Sequence, residues 1–591
     1  MPLKCYSVLL IWLILFPALA FAQDRTETHR HVHHPTQIAI DEAYSRGDIS
    51  RDEAILQHFY AGYRPNQLSQ SFSRTDTLPI KCMLPVQQQY LDVKSELNAS
   101  TVSEIEQMTA SSTFFDTEFE YISPSGVFSF HYDTTGVDSV PTESTIPEAV
   151  SEGIPDYIYH AAFAADSSYR YQVEDSGFSD FRTDEPYEIS FRNFGFYGTT
   201  TSSGSTSFIE VHNNFVGFPT NTHPGGNQIG ALYATLAHEI KHAVQFEANR
   251  WRGNAGRTVW IEMDATLMEE VVFDDVNDYY NYIKTSLESN TPTLTSIFGR
   301  PQSATPGSYW HVSWMIYFQE RYGTEFWVDV WDIISNEPLI VFTDAMNQVL
   351  NAYNTSIERE HLKNHLWHMG SGDEFSLSDD GFSERLNYPN PNFQHQLFSA
   401  TDSLTNFQID SLAANYVHVL PPILAEGQPK ITIESTNPGV GISAIGYFNN
   451  GSTEEAFFVN PQESFQELQT TWNWSELSML SIGVVNTNQN LSSEYKLNLI
   501  TAPPDDDLIS QNYPNPFNQT TKIEFSLDDR KEVTVEVYDS IGRKISTLLN
   551  EIIDSGYHTL DFDGFGLPSG VYFYRITTDQ TSITRKMVLI H

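Results

Sequence analysis

Residues 227–250, NQIGALYATLAHEIKHAVQFEANR, constrain this chain more than any other stretch. Ile229, Leu232, Leu236, Ile240, Ala243 and Val244 recur at three- and four-residue steps. That spacing puts apolar side chains on one face of a helix pressed into a core. Asn227 stands just ahead of the run, placed to cap it. Inside the helix, His238-Glu239-Ile240-Lys241-His242 carries two imidazoles one turn apart on the same face, about 6 Å along the axis. Such a pair can grip one tetrahedral zinc ion through Zn–N bonds of about 2.0–2.1 Å. Glu239 projects beside them, where a carboxylate can take a proton from water that the ion activates. Histidines on a buried helix are also ordinary hydrogen-bonded core residues, and so short a motif recurs by chance, so the flanks have to decide.

A hydrolytic zinc site needs a third protein ligand and a fourth position left for water. The metzincin pattern would place Gly at 245 and His at 248, and the chain has Gln245 and Ala248 instead. Downstream, residues 260–270, WIEMDATLMEE, begin a second helical pattern. Glu262 and Ala265 form E-x-x-A there, and Glu269 follows seven residues after Glu262 on the same face. Nineteen residues separate His242 from Glu262, enough to end one helix, turn through Arg252–Gly256 and start another. Asp264, Glu269 and Glu270 are the competing acidic donors.

HEIKH followed by WIEMDATLME resembles the gluzincin metallopeptidases, the thermolysin-like and aminopeptidase-N-like families. The resemblance implies Zn2+ ligands at His238, His242 and Glu262, Glu239 as general base, and Glu269 as a carboxylate holding the far ring nitrogen of a ligand histidine. Tyr309 opens a helical stretch running to Gly323, similar to one whose first tyrosine, in aminopeptidase-N-like enzymes, donates a hydrogen bond to the reaction oxyanion. It implies that role for Tyr309, with His311 as the alternative, although aromatic-rich helices are also ordinary core. Gluzincins place a small sheet before the metal helix. Here Gly126–Tyr132, Tyr187–Phe191 and Ser207–His212 read as strands, with a helix over 155–171. In such enzymes an edge strand pairs with the backbone of a peptide substrate, a recognised binding mode. Residues 121–395 are also similar to a less-characterised family of secreted bacterial metallopeptidase-like proteins, through GVFSFHY, GIPDY and VNDYY. No Gly-x-Met-Glu-Asn run precedes the helix, which favours endopeptidase over aminopeptidase action.

The 591 residues carry 76 acidic against 32 basic side chains, a formal net charge of −44. Such a surface repels nucleic acid and anionic membranes. Met1–Ala22 reads as a secretory signal: Lys4, the apolar run Val8–Leu19, then Ala20-Phe21-Ala22 before Gln23. No later stretch reaches 18 apolar residues, so no transmembrane helix is expected after signal removal. Removing the signal takes Cys5 with it and leaves Cys82 alone, so no internal disulfide can form. A lone thiol is usually a small buried apolar group, and the rarer reading is a latency ligand that blocks an open zinc position.

The expected architecture is multidomain α+β. Residues 23–120 form an N-terminal helical region, propeptide or buttress, with a histidine run at 29–34, two short helices within 38–68 and irregular sequence to about 120. A gluzincin-like domain of small sheet plus helices spans 121–395. A β-sandwich over 396–502 follows, with Ala414–Leu420, Lys430–Glu434, Ile442–Phe448 and Tyr495–Ile500 as strands, then an acidic linker over 503–511. In the last module, 512–591, Ile523/Phe525/Leu527 and Val533/Val535/Val537 alternate in an Ig-like pattern. Together with NYPNPFN at 512–518 and GVYFYRI at 570–576, this module resembles the C-terminal sorting domain of the type IX secretion system. That resemblance implies export across the outer membrane, to the cell surface or beyond, with the secretion machinery as a partner. Two functions follow from the whole: a secreted zinc peptidase acting on a protein or peptide substrate, or a surface adhesin whose zinc site is structural or inactive.

Overall fold

The structure, a computed structural model, describes residues 34–590 except 75–77, 110–115, 257, 284–308, 422–424, 426, 503–507, 510, 513, 528 and 580. The expected signal, the histidines before His34 and the core of the acidic linker lie outside the described residues. The chain divides into two compact units, with the boundary between Thr355 and Ser356.

The first unit opens with α1 (Pro35–Ser45) and α2 (Arg51–Tyr63), then β1 (Ile80–Cys82), α3 (Leu84–Val93) and α4 (Ala99–Met108). Ser50 caps α2 by accepting from the Glu53 amide, as its sequence pattern predicts. Residues 80–108, expected to be irregular, are instead ordered. Ile80, Met83, Val86, Tyr90, Ile105 and Met108 pack with Ile55, Phe59, Phe194 and Phe196 in one apolar cluster. The polar Gln87–Gln89 stretch hid this pattern, and burial against the sheet overrides weak local periodicity.

The sheet follows as β2 (Phe119–Ile122), β3 (Phe128–Tyr132), β4 (Tyr187–Arg192), β5 (Phe196–Ser203) and β6 (Thr206–His212), with α5 (Pro147–Glu152) and α6 (Asp156–Tyr169) between β3 and β4. The strand order is β1-β5-β6-β4-β3-β2. β5 and β6 run antiparallel, β6, β4 and β3 run parallel, and β1 pairs parallel to β5, Ile80 with Phe196 and Cys82 with Gly198. The edge of β5 is therefore covered by β1.

Behind the sheet run α7 (Asn227–Asn249), α8 (Thr258–Val272), α9 (Val312–Asn336) and α10 (Phe342–Ala352). Gly226, not Asn227, is the N-cap of α7, and Asn227 is its first helical residue. The helix ends at Arg250 in the left-handed region, φ 57°. α9 is interrupted at Gly323, whose φ of 74° breaks the helical run.

The second unit begins with α11 (Ile357–Met369), not at residue 396. Its buried face belongs to the sheet: a side chain at Gly441, on strand Val440–Phe448, would meet Leu362 at 2.9 Å. Strand periodicity beyond residue 395 marks where the sheet starts, and says nothing of which neighbour a preceding helix covers. A five-stranded and a four-stranded sheet, spanning His395–Ala502, enclose a core of Ile431, Ile433, Ile442, Leu480, Ile482, Leu497 and Leu499. The last module packs a three-stranded on a four-stranded sheet around Ile523, Phe525, Leu527, Val533, Val535 and Val537, the residues whose alternation marked it.

Candidate metal centre

α7 is buried along nearly all its length, so its polar residues enter the core with the apolar ones. His238, Glu239, Lys241, His242 and Gln245 on α7, and Glu262, Asp264 and Glu269 on α8, are all 3 % exposed or less. A buried charge costs several kcal/mol unless something pairs with it. The pairing here is specific.

His238 Nδ1 donates to Glu269 Oε1 at 2.8 Å, and His242 Nδ1 donates to Gln245 Oε1 at 2.8 Å. The Gln245 amide nitrogen donates to Ile261 O at 3.0 Å and Asp264 Oδ2 at 2.7 Å, which fixes its oxygen toward His242. With both Nδ1 atoms engaged, the two Nε2 atoms face one point, 3.1 Å apart. Glu262 reaches the same point, its carboxylate oxygens 3.4 Å from His238 Nε2 and 3.2 Å from His242 Nε2. Neither Glu262 oxygen accepts a hydrogen bond.

A fourth side chain joins them. Cys82, on β1, brings its sulfur into a group with His238, His242 and Glu262 whose ligand atoms all lie within 4.8 Å of one another. Donors at the corners of a tetrahedron around one zinc, with bonds of about 2.0–2.3 Å, lie about 3.3–3.8 Å apart. The two Nε2 atoms and the Glu262 oxygens already stand 3.1–3.4 Å from one another, and the four-residue group, spread over up to 4.8 Å, would have to draw in by up to about 1 Å to hold an ion with all four. Two imidazoles, a carboxylate and a thiol are the donor types that zinc takes. Glu239, Glu262, Asp264, Glu269 and Asp278 are five buried carboxylates against the two buried ammonium groups of Lys81 and Lys241. With the histidines neutral, a divalent cation would offset much of that surplus. The donor set and the two orphaned oxygens of Glu262 fit such an ion.

Glu239 is held from the sheet. Thr200 Oγ1 on β5 donates to Glu239 Oε2 at 2.8 Å, while Oε1, also buried, has no hydrogen-bond partner. A close approach of strand to helix allows this contact: a side chain at Gly198 would lie 2.7 Å from Thr235 and 3.1 Å from Glu239. Burial raises the Glu239 carboxyl above its ordinary range, against the opposing pull of His238 and His242. Burial would raise Glu262 too, but His242 and His238 outweigh it and hold that carboxyl at about 2. His238 is the mirror image: burial lowers it, and Glu262 and Glu269 carry it up to about 10.

A further layer supports these groups. Lys81 forms ion pairs with Glu269 at 2.7 Å and Asp278 at 2.6 Å, and Tyr197 donates to Asp278. Trp331 Nε1 donates to Asp264, and Lys241 lies 3.5 Å from the same carboxylate and over the Phe178 ring. Asp264, a competing candidate ligand, thus serves Gln245, Trp331 and Lys241. Burial, partly opposed by Asp264, lowers the Lys241 ammonium to about 8.

Tyr309 is buried and packs edge to face on Tyr282, ring centroids 4.9 Å apart. Tyr282 in turn lies under the Lys81 ammonium. This chain of contacts ties Tyr309 to the layer that carries Glu269. His311 is the N-cap of α9.

Sequence reading missed Lys81, Thr200, Gln245, Asp264 and Asp278 as parts of one network. Two of them left a signal: Asp264 stood among the competing acidic donors, and an amide three residues after His242 shares its helix face.

Residues 511–590 match the family model described as the secretion system C-terminal sorting domain. This assigns the chain to export through the type IX secretion system, to the cell surface or the extracellular space, and makes that machinery a partner. Among the described residues no helix is long and apolar enough to cross a membrane. No curated protein matches the chain. Among solved structures it is similar to PorZ, a surface component of the type IX secretion system of Porphyromonas gingivalis, at 16 % identity and TM-score 0.12, over 19 % of this chain and 14 % of that one. It is similar to dimeric latent PorU from Porphyromonas gingivalis at 11 % identity and TM-score 0.14, over 34 % of this chain and 19 % of that one. The chain spans less than a fifth of either, and likenesses at these scores do not define its fold.

Proposed function

We propose that this exported protein is a zinc-dependent metallopeptidase of the gluzincin type, an endopeptidase, with His238, His242 and Glu262 as ligands. The observation that carries the reading is the meeting of both Nε2 atoms with the unbonded Glu262 carboxylate, beside a buried Glu239 whose Oε1 has no partner. Zinc held there would supply Lewis acidity, acidifying a water and polarising a peptide carbonyl.

The chain's own groups do the rest. Glu239, fixed through Oε2 by Thr200, presents Oε1 to accept the proton of the attacking water and then delivers it to the leaving amine. Its raised pKa suits both steps. Glu269 and Gln245 hold the two rings so that Nε2, not Nδ1, faces the metal. Tyr309 is proposed to donate to the oxyanion as charge builds on the former carbonyl.

A second reading is favoured by one observation, the thiol near the group. A structural zinc site is closed by four protein donors, and an adhesin with such a centre would have the same group. Metal analysis and casein hydrolysis separate the two, measured on the exported chain before and after limited proteolysis of its N-terminal segment. The peptidase reading expects about one zinc per chain, and turnover that Glu239→Gln abolishes without loss of metal. Retained zinc without turnover in either form supports the adhesin, and absence of bound metal sinks both.

A further inference from the structure

Three protein ligands leave one corner of a tetrahedron, and a side chain from far upstream comes near the group. Cys82 is 1 % exposed, and its sulfur lies within 4.8 Å of the donor atoms of His238, His242 and Glu262. It is also 4.0 Å from Glu239 Oε2, the oxygen that Thr200 holds. The Leu84 amide donates to the sulfur at 3.3 Å, which fixes its direction. Independently of the thiol, Glu262 presents two fully buried oxygens without a hydrogen bond beside both Nε2 atoms, where a cation would satisfy them.

The backbone that carries Cys82 is as telling. β1 is three residues long and lies along β5 as an added strand, parallel, with Cys82 opposite Gly198. Addition of a strand to a sheet edge is how extended peptides are bound. Lys81 anchors the segment by pairing with Glu269, the carboxylate that holds His238, and with Asp278. Residues 80–82 therefore take the place of a peptide beside β5 and bring a fourth donor up to His238, His242 and Glu262.

We propose that Cys82 is the fourth ligand of the metal centre and that β1 holds the peptidase latent until the thiolate is displaced. The inference rests on the peptidase reading above. On binding, the thiol gives its proton to solvent as sulfur takes the fourth position. On release, a solvent water enters and the sulfur regains a proton, so no oxidant or reductant takes part. Because β1 lies where substrate would pair, freeing the thiol and opening the edge of β5 are one event.

Cobalt(II) in place of zinc tests this on the chain from Gln23, whose single thiol is Cys82. The wild-type protein is expected to take up one cobalt and show the intense near-ultraviolet charge-transfer absorption of a cobalt–thiolate bond. Cys82→Ala is expected to keep the cobalt, lose that absorption and, with zinc, hydrolyse casein at least tenfold faster than the uncut wild type. Loaded wild type without the absorption overturns the proposal, and it needs no variant to be read. The absorption without a gain in Cys82→Ala overturns latency. In that case, activity of the proteolysed wild type shows that the peptidase reading stands, and inactivity shows that it has fallen as well.

Discussion

Two helices in this protein carry the same histidine pair and have put it to different use. In α7, His238 and His242 stand one turn apart with ring centroids 4.7 Å apart and planes at 84°. In α11, His361 and His365 stand one turn apart with centroids 4.7 Å apart and planes at 89°. Both pairs are buried. What differs is the company. The α7 rings are met by Glu262, Glu269 and Cys82, and the carboxylates pull His238 toward the charged state. In α11, His365 Nδ1 pairs with the Tyr416 hydroxyl and His368 Nδ1 with the Asn364 carbonyl. Burial there drives His368 down to about 3, so it stays neutral. Helical spacing makes a pair of imidazoles in both, and the carboxylates that α8 brings to the α7 pair are what mark it as the candidate ligand set.

The sharpest way to break this contrast is to delete one ring from each helix. His242→Ala should reduce bound zinc from about one equivalent to none, whereas His365→Ala should leave it unchanged, both read by metal analysis after dialysis. Metal lost from His365→Ala, or kept by His242→Ala, would erase the distinction. Next in size is Glu239→Gln, made together with Cys82→Ala so that the site is open. It should lower kcat/KM for a peptide by about 10²–10⁴ with metal content unchanged. Smaller again are the groups behind the rings. Glu269→Gln keeps shape but weakens the acceptor for His238, and should cost about 10–100-fold in zinc affinity in a competition titration. Tyr416→Phe, the matching change behind His365, should leave zinc affinity unmoved.

The sequence shows the α7 pair because an i, i+4 relation is local, and it shows Glu262 and Glu269 because both fall on one face of the next helix. It could not show that Cys82 meets Glu239 across 157 positions, or that Lys81 meets Asp278 across 197. Those contacts exist only once β1 has paired with β5. Residues 80–108 were opaque for the same reason, since their apolar positions make sense only against Phe194 and Phe196. The final module was the most legible part. Its strands bury one face, so Ile523, Phe525 and Leu527 write the fold into every second position. Gln245 teaches the opposite lesson: as a residue it excluded one zinc pattern, and as a side chain it orients His242.

The smallest effect separates the two helices by acid–base behaviour. His368 is lowered to about 3 by burial, so the folded second unit refuses a proton that the unfolded chain accepts near pH 6.5. Its contribution is therefore complete above pH 6.5 and lost as pH falls from there toward 3. By pH 5.5 the loss relative to pH 8 should be about 1.4 kcal/mol. His238 in the chelated protein runs the other way. Raised to about 10, it contributes fully below pH 6.5, and that contribution is lost as pH rises through the folded value. Unfolding of the chelated chain in urea from pH 5.5 to 9 should thus show an acid-side loss that His368→Gln flattens and an alkaline-side loss that it leaves alone. Zinc competes for the lone pair that His238 would otherwise protonate, so adding it back should remove the alkaline limb and leave the acid limb in place. If zinc flattened both limbs equally, the two helices would not differ in kind, and the charge around the rings would not be what tells them apart.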